Sequence, residues 1–203
     1  MFRTLRPATA GAAIALALTL GLSACSADTE AASEASAPPL VSPTPTVSAS
    51  PTDPAEAAKA KNIADAKRRY TEFVEISDKH AKNGTNANEE FIFGGYLGDS
   101  EMIGQQEEYW ADYTEAELKQ TGDVRIVSMK VTEYEGDPLE DTILGHRVRM
   151  EVCVNTSDID VVRQDGSSAL QDGVPQQRIM DVLMQGQRTV WSVLENAGTG
   201  EAC

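Results

Sequence analysis

The 203 residues include 32 acidic and 17 basic side chains, a formal net charge of −15. That balance excludes the basic footprint needed to bind nucleic acid and any electrostatic attraction to an anionic lipid surface. Three cysteines and two histidines, His80 and His146, complete the inventory of soft ligands; neither histidine has ligand spacing to a cysteine, so no metal site and no cofactor are expected.

The chain begins with a targeting segment. Arg3 and Arg6 form a short positive region with no acid nearby, and an apolar run of about 15 residues spans Ala8 to Leu22. This run is shorter than the ~20 residues of a permanent bilayer-spanning helix. Charge, length and the small residues that follow are those of a cleaved export signal. The run closes on Leu22-Ser23-Ala24-Cys25, which resembles the lipobox of bacterial lipoproteins. The resemblance implies that residues 1–24 are a signal peptide, that the Cys25 thiol takes a diacylglyceryl group, and that Cys25 becomes the mature N-terminus. The protein would then sit on the outer face of the cell membrane, held by acyl chains. Each buried CH₂ contributes roughly 0.8 kcal/mol, so paired chains hold where one does not. An ordinary secretory signal, with Cys25 a spare thiol, is the alternative. Cleavage removes two arginines and no acid, taking the net charge from −15 to −17; the anchor must therefore be the lipid, not the charge.

With Cys25 lipidated, Cys153 and Cys203 remain as an even pair. In an oxidising compartment a disulfide between them is the expected state, two unpaired thiols being the alternative.

Residues 25–52 form the next region. From Ser26 to Thr52 there is no aromatic residue, no Gly, no Lys and no Arg, while Pro38, Pro39, Pro43, Pro45 and Pro51 accumulate. Such a composition cannot bury a core, so disorder with polyproline character is expected. At ~3.1 Å per residue its reach is at most about 80 Å. It reads as a tether that lifts the following domain away from the membrane.

The domain, residues 53–203, opens with a long helix. Asp53 suits the N-cap, Pro54 the first helical position and Glu56 the third. Ile63, Ala66, Tyr70, Phe73 and Ser77 recur at helical spacing, and Asn83-Gly84 ends the run. The basic residues on its other faces alternate with acids and read as a solvated surface. Residues Thr85 to Ser100 read as a loop around Phe91-Ile92-Phe93. A second helix is predicted over about Ser100–Ala111, and a third from Thr114 to Thr121-Gly122. The period then changes to two. Val127, Met129 and Val131 alternate with polar residues, as do Val148, Met150, Val152 and Val154 in a strand from His146 to Asn155. Ile159, Val161 and Val162 continue to a turn at Asp165-Gly166. Ile179–Met184 and Thr189–Leu194 read as a hairpin turning at Gln185-Gly186-Gln187.

Helices followed by strands define an α+β class. The order, together with Tyr70-x-x-Phe73, Thr121-Gly122-Asp123-Val124, Glu151-Val152-Cys153-Val154-Asn155, Asp165-Gly166 and Trp191 before the terminal Cys203, resembles the nuclear transport factor 2-like (cystatin-like) superfamily, and within it small secreted or lipid-anchored actinobacterial proteins. The resemblance covers residues 54–203. It implies a cone, in which a curved antiparallel sheet of about four strands wraps the long N-terminal helix. Glu151 and Asn155 stand where those relatives carry Asp, so no acid chemistry is transferred there.

Two functions follow from the resemblance. One is a non-enzymatic binding or interaction module, taking a small apolar ligand or another envelope protein. The other is a pocket enzyme of isomerase or cyclase type, which needs a buried acid or histidine for proton transfer. Asp181, between Met180 and Val182, is the best candidate acid; His80 and His146 read as surface residues. No Gly-x-Ser-x-Gly, His-Glu-x-x-His or phosphate-loop pattern is present, and no catalytic residue is assigned.

Overall fold

A computed structural model describes residues 53–170, 173 and 175–203. The export segment, Cys25 and the Pro-rich tether lie outside the described residues. Three helices come first: α1 (Pro54–Asn83), α2 (Asn88–Gly94) and α3 (Ser100–Glu115). Six strands follow: β1 (Lys119–Thr121), β2 (Arg125–Glu135), β3 (Arg147–Asn155), β4 (Asp160–Val162), β5 (Gln177–Gln187) and β6 (Val190–Gly198). The described class is thus α+β. The main sheet is antiparallel in the order β2-β3-β5-β6, and β1 pairs with β4 in a separate two-stranded sheet.

Helix α1 is fixed at both ends by its own sequence. Asp53 Oδ1 accepts the Ala55 N–H at 2.9 Å, and Pro54 supplies a preset φ where no backbone donor is missed. Gly84 closes the helix at φ +65°, a left-handed conformation that costs most other residues about 1–2 kcal/mol. Asn62, Ala66, Tyr70, Phe73 and Ala81 are buried along one stripe. On the outer face Lys61 pairs with Asp65 at 2.8 Å and Arg68 with Glu72 at 2.6 Å. Such exposed i,i+4 pairs contribute only about 0.3–0.5 kcal/mol, but they neutralise the helix's basic residues locally.

Residues 85–100 are not simply a loop. Asn86 Oδ1 accepts the Asn88 N–H at 2.7 Å and starts α2, a seven-residue helix. It turns Ala87 and Phe91 fully inward and leaves Phe93 88% exposed. The segment after it runs along the free edge of β6: Val193 N–H donates to Tyr96 O, and Gly98 N–H donates to Val193 O, each at 2.7 Å. That edge is therefore covered instead of being open to pairing with another chain.

The third helix expected from Thr114 does not form. Helix α3 runs unbroken to Glu115, and the Thr114 hydroxyl donates back to Trp110 O at 2.8 Å, the bond of a residue inside a helix. Asp99 is the real cap, accepting the Met102 N–H at 2.8 Å. Lys119–Thr121, assigned to the end of that helix, is β1, paired with Asp160–Val162.

The main sheet keeps its alternation in β3, where Val148, Met150, Val152 and Val154 are buried under the helices with Val182, Met184, Trp191 and Val193. In β2 the register shifts twice, between Ile126 and Ser128 and between Val131 and Glu133. The first bulge brings Ile126 to the core side and turns Val127 outward, contrary to the expected alternation.

The β5–β6 hairpin turns at Arg188-Thr189, not at Gln185-Gly186-Gln187. Gly186 lies within β5 and is needed for space: its N–H donates to His146 O at 2.8 Å, and a Cβ there would sit 1.9 Å from Ile143 O. Gly186→Ala must displace the backbone before β3. A loss of about 1–3 kcal/mol is expected in urea unfolding; a loss below about 0.5 kcal/mol would show that the close approach is not enforced.

Candidate functional site

The strands and helices leave a groove between α1, α3 and the helix-facing side of the main sheet. Its cavity measures about 430 Å³, with Tyr70 and Phe73 from α1, Tyr109 and Trp110 from α3, and Val154 and Met180 from the sheet. A neighbouring cavity of about 230 Å³ shares Ser77, Tyr109, Trp110, Val124, Thr156 and Arg178 with it. The larger volume falls in the range of small-molecule sites.

The aromatic and aliphatic lining is interrupted by polar side chains, among them Ser77, Gln105, Gln106, Thr156, Arg178 and Asn196. The Tyr70 hydroxyl donates to Asn196 Oδ1 at 3.0 Å; burial pushes its ionisation well above the ordinary range, so it remains a neutral donor. Tyr109 sits beside Arg178. Although the residue is 52% exposed, the protein packed around its phenol raises the group's ionisation, and the arginine's charge partly opposes the rise. Trp110 is 1% exposed, and its Nε1–H has no acceptor among the described residues. An unsatisfied buried donor of this kind costs about 1–3 kcal/mol.

Arg178 is placed by the alternation of β5. It is in phase with Met180, Val182 and Met184, opposite Val154 of β3, and so lies on the side of the sheet that builds the core. The ion pairs of arginines among the described residues involve Arg68, Arg69, Arg125, Arg147 and Arg149; Arg178 has no carboxylate partner among them. Composition and motif reading passed over both Arg178 and Trp110. The phase of Arg178 within β5 was the signal that could have found it.

The candidate acid Asp181 lies elsewhere. One residue out of phase with Met180 and Val182, it points to the opposite face of the sheet, where Arg149 Nη1 donates to Asp181 Oδ2 at 2.6 Å and Arg149 Nη2 to Glu195 Oε2 at 3.0 Å. Its side chain is 41% exposed. Asp181 is thus a cross-strand ion-pair residue and not a pocket acid. His80 lies in the last turn of α1, with Nε2 2.9 Å from Glu90 Oε2 and Nδ1 2.8 Å from Thr85 Oγ1.

His146 is not at the surface, as the sequence suggests, but 2% exposed. Its Nδ1 lies 3.2 Å from the Tyr134 hydroxyl, which also accepts from Asn62 Nδ2 at 3.0 Å. This chain of polar groups joins α1 to β2 and to the residue that precedes β3. Asp181, His80 and His146 line neither lobe of the groove. Among the described residues no cluster of three His, Cys, Asp or Glu is placed to hold a metal.

Cys153 and Cys203 meet on the outward side of the sheet, with sulfurs 2.01 Å and Cα atoms 5.9 Å apart. The C-terminal tail is brought there by hydrogen bonds to β5: Ile179 N–H donates to Glu201 O at 2.9 Å, and Thr199 N–H donates to Ile179 O at 3.0 Å.

No protein-family model matches the chain, and no curated protein matches it. Among the described residues no helix is long and apolar enough to cross a membrane.

Proposed function

We propose that this protein is a bacterial lipoprotein of the extracytoplasmic membrane face whose domain, residues 53–203, acts as a binding module. In this reading residues 1–24 are removed, Cys25 carries the acyl chains, and residues 25–52 tether the domain. The main sheet curves around α1 in the cone of the nuclear transport factor 2-like superfamily, and the cone's groove takes a small, largely apolar ligand. The observation that carries the binding part is the 430 Å³ groove walled by Tyr70, Phe73, Tyr109 and Trp110. The larger lobe is lined by aromatic, aliphatic, amide and hydroxyl side chains with Arg178, a set suited to holding a ligand, and Asp78 of the smaller lobe is engaged by Lys82, Gln120 and the Val124 N–H. Leu22-Ser23-Ala24-Cys25 supports the anchoring part.

The anchoring is tested by Cys25→Ala. The variant should leave the membrane fraction or accumulate with its export segment uncleaved, whereas the parent chain is processed and sediments with membranes. Identical processing and sedimentation of the two chains would reject lipidation. For the binding module, crosslinking from native envelopes distinguishes the occupants: recovery of one stoichiometric envelope protein through the groove would replace the small-ligand reading.

A further inference from the structure

The groove contains more specific chemistry than an apolar pocket requires. Arg178, half-buried, projects from the core side of β5 between two lobes in which aromatic and aliphatic side chains are joined by hydroxyl and amide ones. Guanidinium groups stay charged under all ordinary conditions and cost free energy when shielded from water without a counter-charge. In this protein such counter-charges are abundant, since acids outnumber bases 32 to 17. Arg149, on the opposite face of the same sheet, takes two of them. Arg178 takes none among the described residues.

Trp110 supplies an independent observation. It lines the same two lobes, is almost completely buried, and keeps a donor with no acceptor among the described residues. An indole N–H can be satisfied only by an acceptor. Two donors, one of them cationic, thus line the same groove, and neither is matched by a protein acceptor among the described residues.

We propose that the groove binds a small amphipathic carboxylate, its apolar body between Phe73, Trp110 and Met180 and its carboxylate on Arg178. This rests on the binding-module reading and names the ligand class for it. The planar guanidinium offers paired donors that match the two oxygens of a carboxylate. The Trp110 Nε1–H provides a further donor for an oxygen of the bound molecule. Tyr109 stays neutral beside Arg178 and does not compete as a counter-ion.

The surroundings permit an anion. The larger lobe has no acid in its lining. Asp78, in the smaller lobe, is already occupied: it accepts from Lys82 Nζ at 2.5 Å, from Gln120 Nε2 at 2.5 Å and from the Val124 N–H at 3.0 Å. The strongly negative protein would repel an anion at long range, but salt screens charges beyond about 10 Å, so the half-buried Arg178 dominates at contact distance.

The test uses the full chain in lipid nanodiscs, with empty nanodiscs as the blank, and a matched pair of probes: 4-phenylbutyrate and its primary amide. Binding is read from tryptophan fluorescence in a Trp191→Phe background, where Trp110 is the remaining tryptophan. The carboxylate should bind about tenfold more tightly than the amide, the difference that one charge-assisted contact supplies. Arg178→Gln should bring the carboxylate down to the level of the amide without changing amide binding, and Arg178→Lys should restore part of the preference. Equal binding of the two probes to the parent chain overturns the carboxylate assignment and leaves the binding module standing. Binding of neither probe overturns both. Should Arg178→Gln fail to fold, the carboxylate-to-amide ratio of the parent decides.

Discussion

Truncating Phe91 to alanine is expected to cost about 3–5 kcal/mol, the range for a buried phenylalanine whose site cannot collapse. Domains of this size have only about 5–15 kcal/mol of total stability, so a large share would go with one ring. The ring is fully buried, 4.8 Å from Phe73 and 6.1 Å from Tyr96 between centroids. It is the one buried residue within α2. The effect should not stop at the cavity. The Tyr96 N–H donates to Phe91 O at 2.9 Å, and Tyr96 and Gly98 then hydrogen-bond along β6. Loosening Phe91 should therefore expose the β6 edge, and amide exchange at Val193 should accelerate. Phe93→Ala, two residues away and exposed, should stay within ±0.5 kcal/mol. Equal losses in the two variants, measured by urea unfolding, would refute the assigned orientation of α2.

This contrast also shows where sequence reading reaches its limit. Helix α1 was legible because both ends carry local chemistry, Asp53-Pro54 and Asn83-Gly84, and because thirty residues show a period clearly. Strand β3 was legible because its alternation is unbroken. Helix α2 was not, because seven residues cover barely two turns and Phe91-Ile92-Phe93 has no period to read. Thr114 misled because the same hydroxyl that caps a helix start can bond back to the preceding turn inside one. Gly186 misled in a related way. A glycine between two apolar runs suggests a turn, but here it makes room for Ile143, a contact set by tertiary packing alone.

The site was less legible than the fold, for a reason of phase. Asp181 attracted attention because apolar residues flank it, yet flanking residues in a strand point the other way. Its own neighbours across the sheet are Glu151 and Ala197, and Arg149 makes that acidic patch tolerable. Arg178 has the phase of the core, but no motif or spacing in the sequence marks it. The groove itself depends on how α1 and α3 settle on the sheet, which no local pattern encodes.

Removing the link between Cys153 and Cys203, by replacing both with serine, is expected to cost about 4 kcal/mol. The two residues are 50 apart in sequence, and on the chain-entropy model a closed loop of that length removes this much freedom from the unfolded chain. The loop encloses β4, β5 and β6, the strands that carry Arg178, Asn196 and the hairpin. The loss should therefore appear mainly as a lower urea midpoint. Fraying should start at the tail, where Ile179 and Thr199 hold residues 199–201 against β5. Reductant should lower the midpoint of the parent chain by the same amount and leave the double variant unchanged. Intact mass should show two hydrogens fewer in the parent before reduction. A midpoint indifferent to reductant would mean that the thiols are unpaired in the isolated protein. The result bears on location as well as stability, because a link of this kind persists where thiols are kept oxidised. A parent chain found oxidised on recovery from the envelope agrees with export through the Cys25 signal. A fully reduced one, alongside membrane association, would separate the anchor from the compartment and require the export reading to be revised.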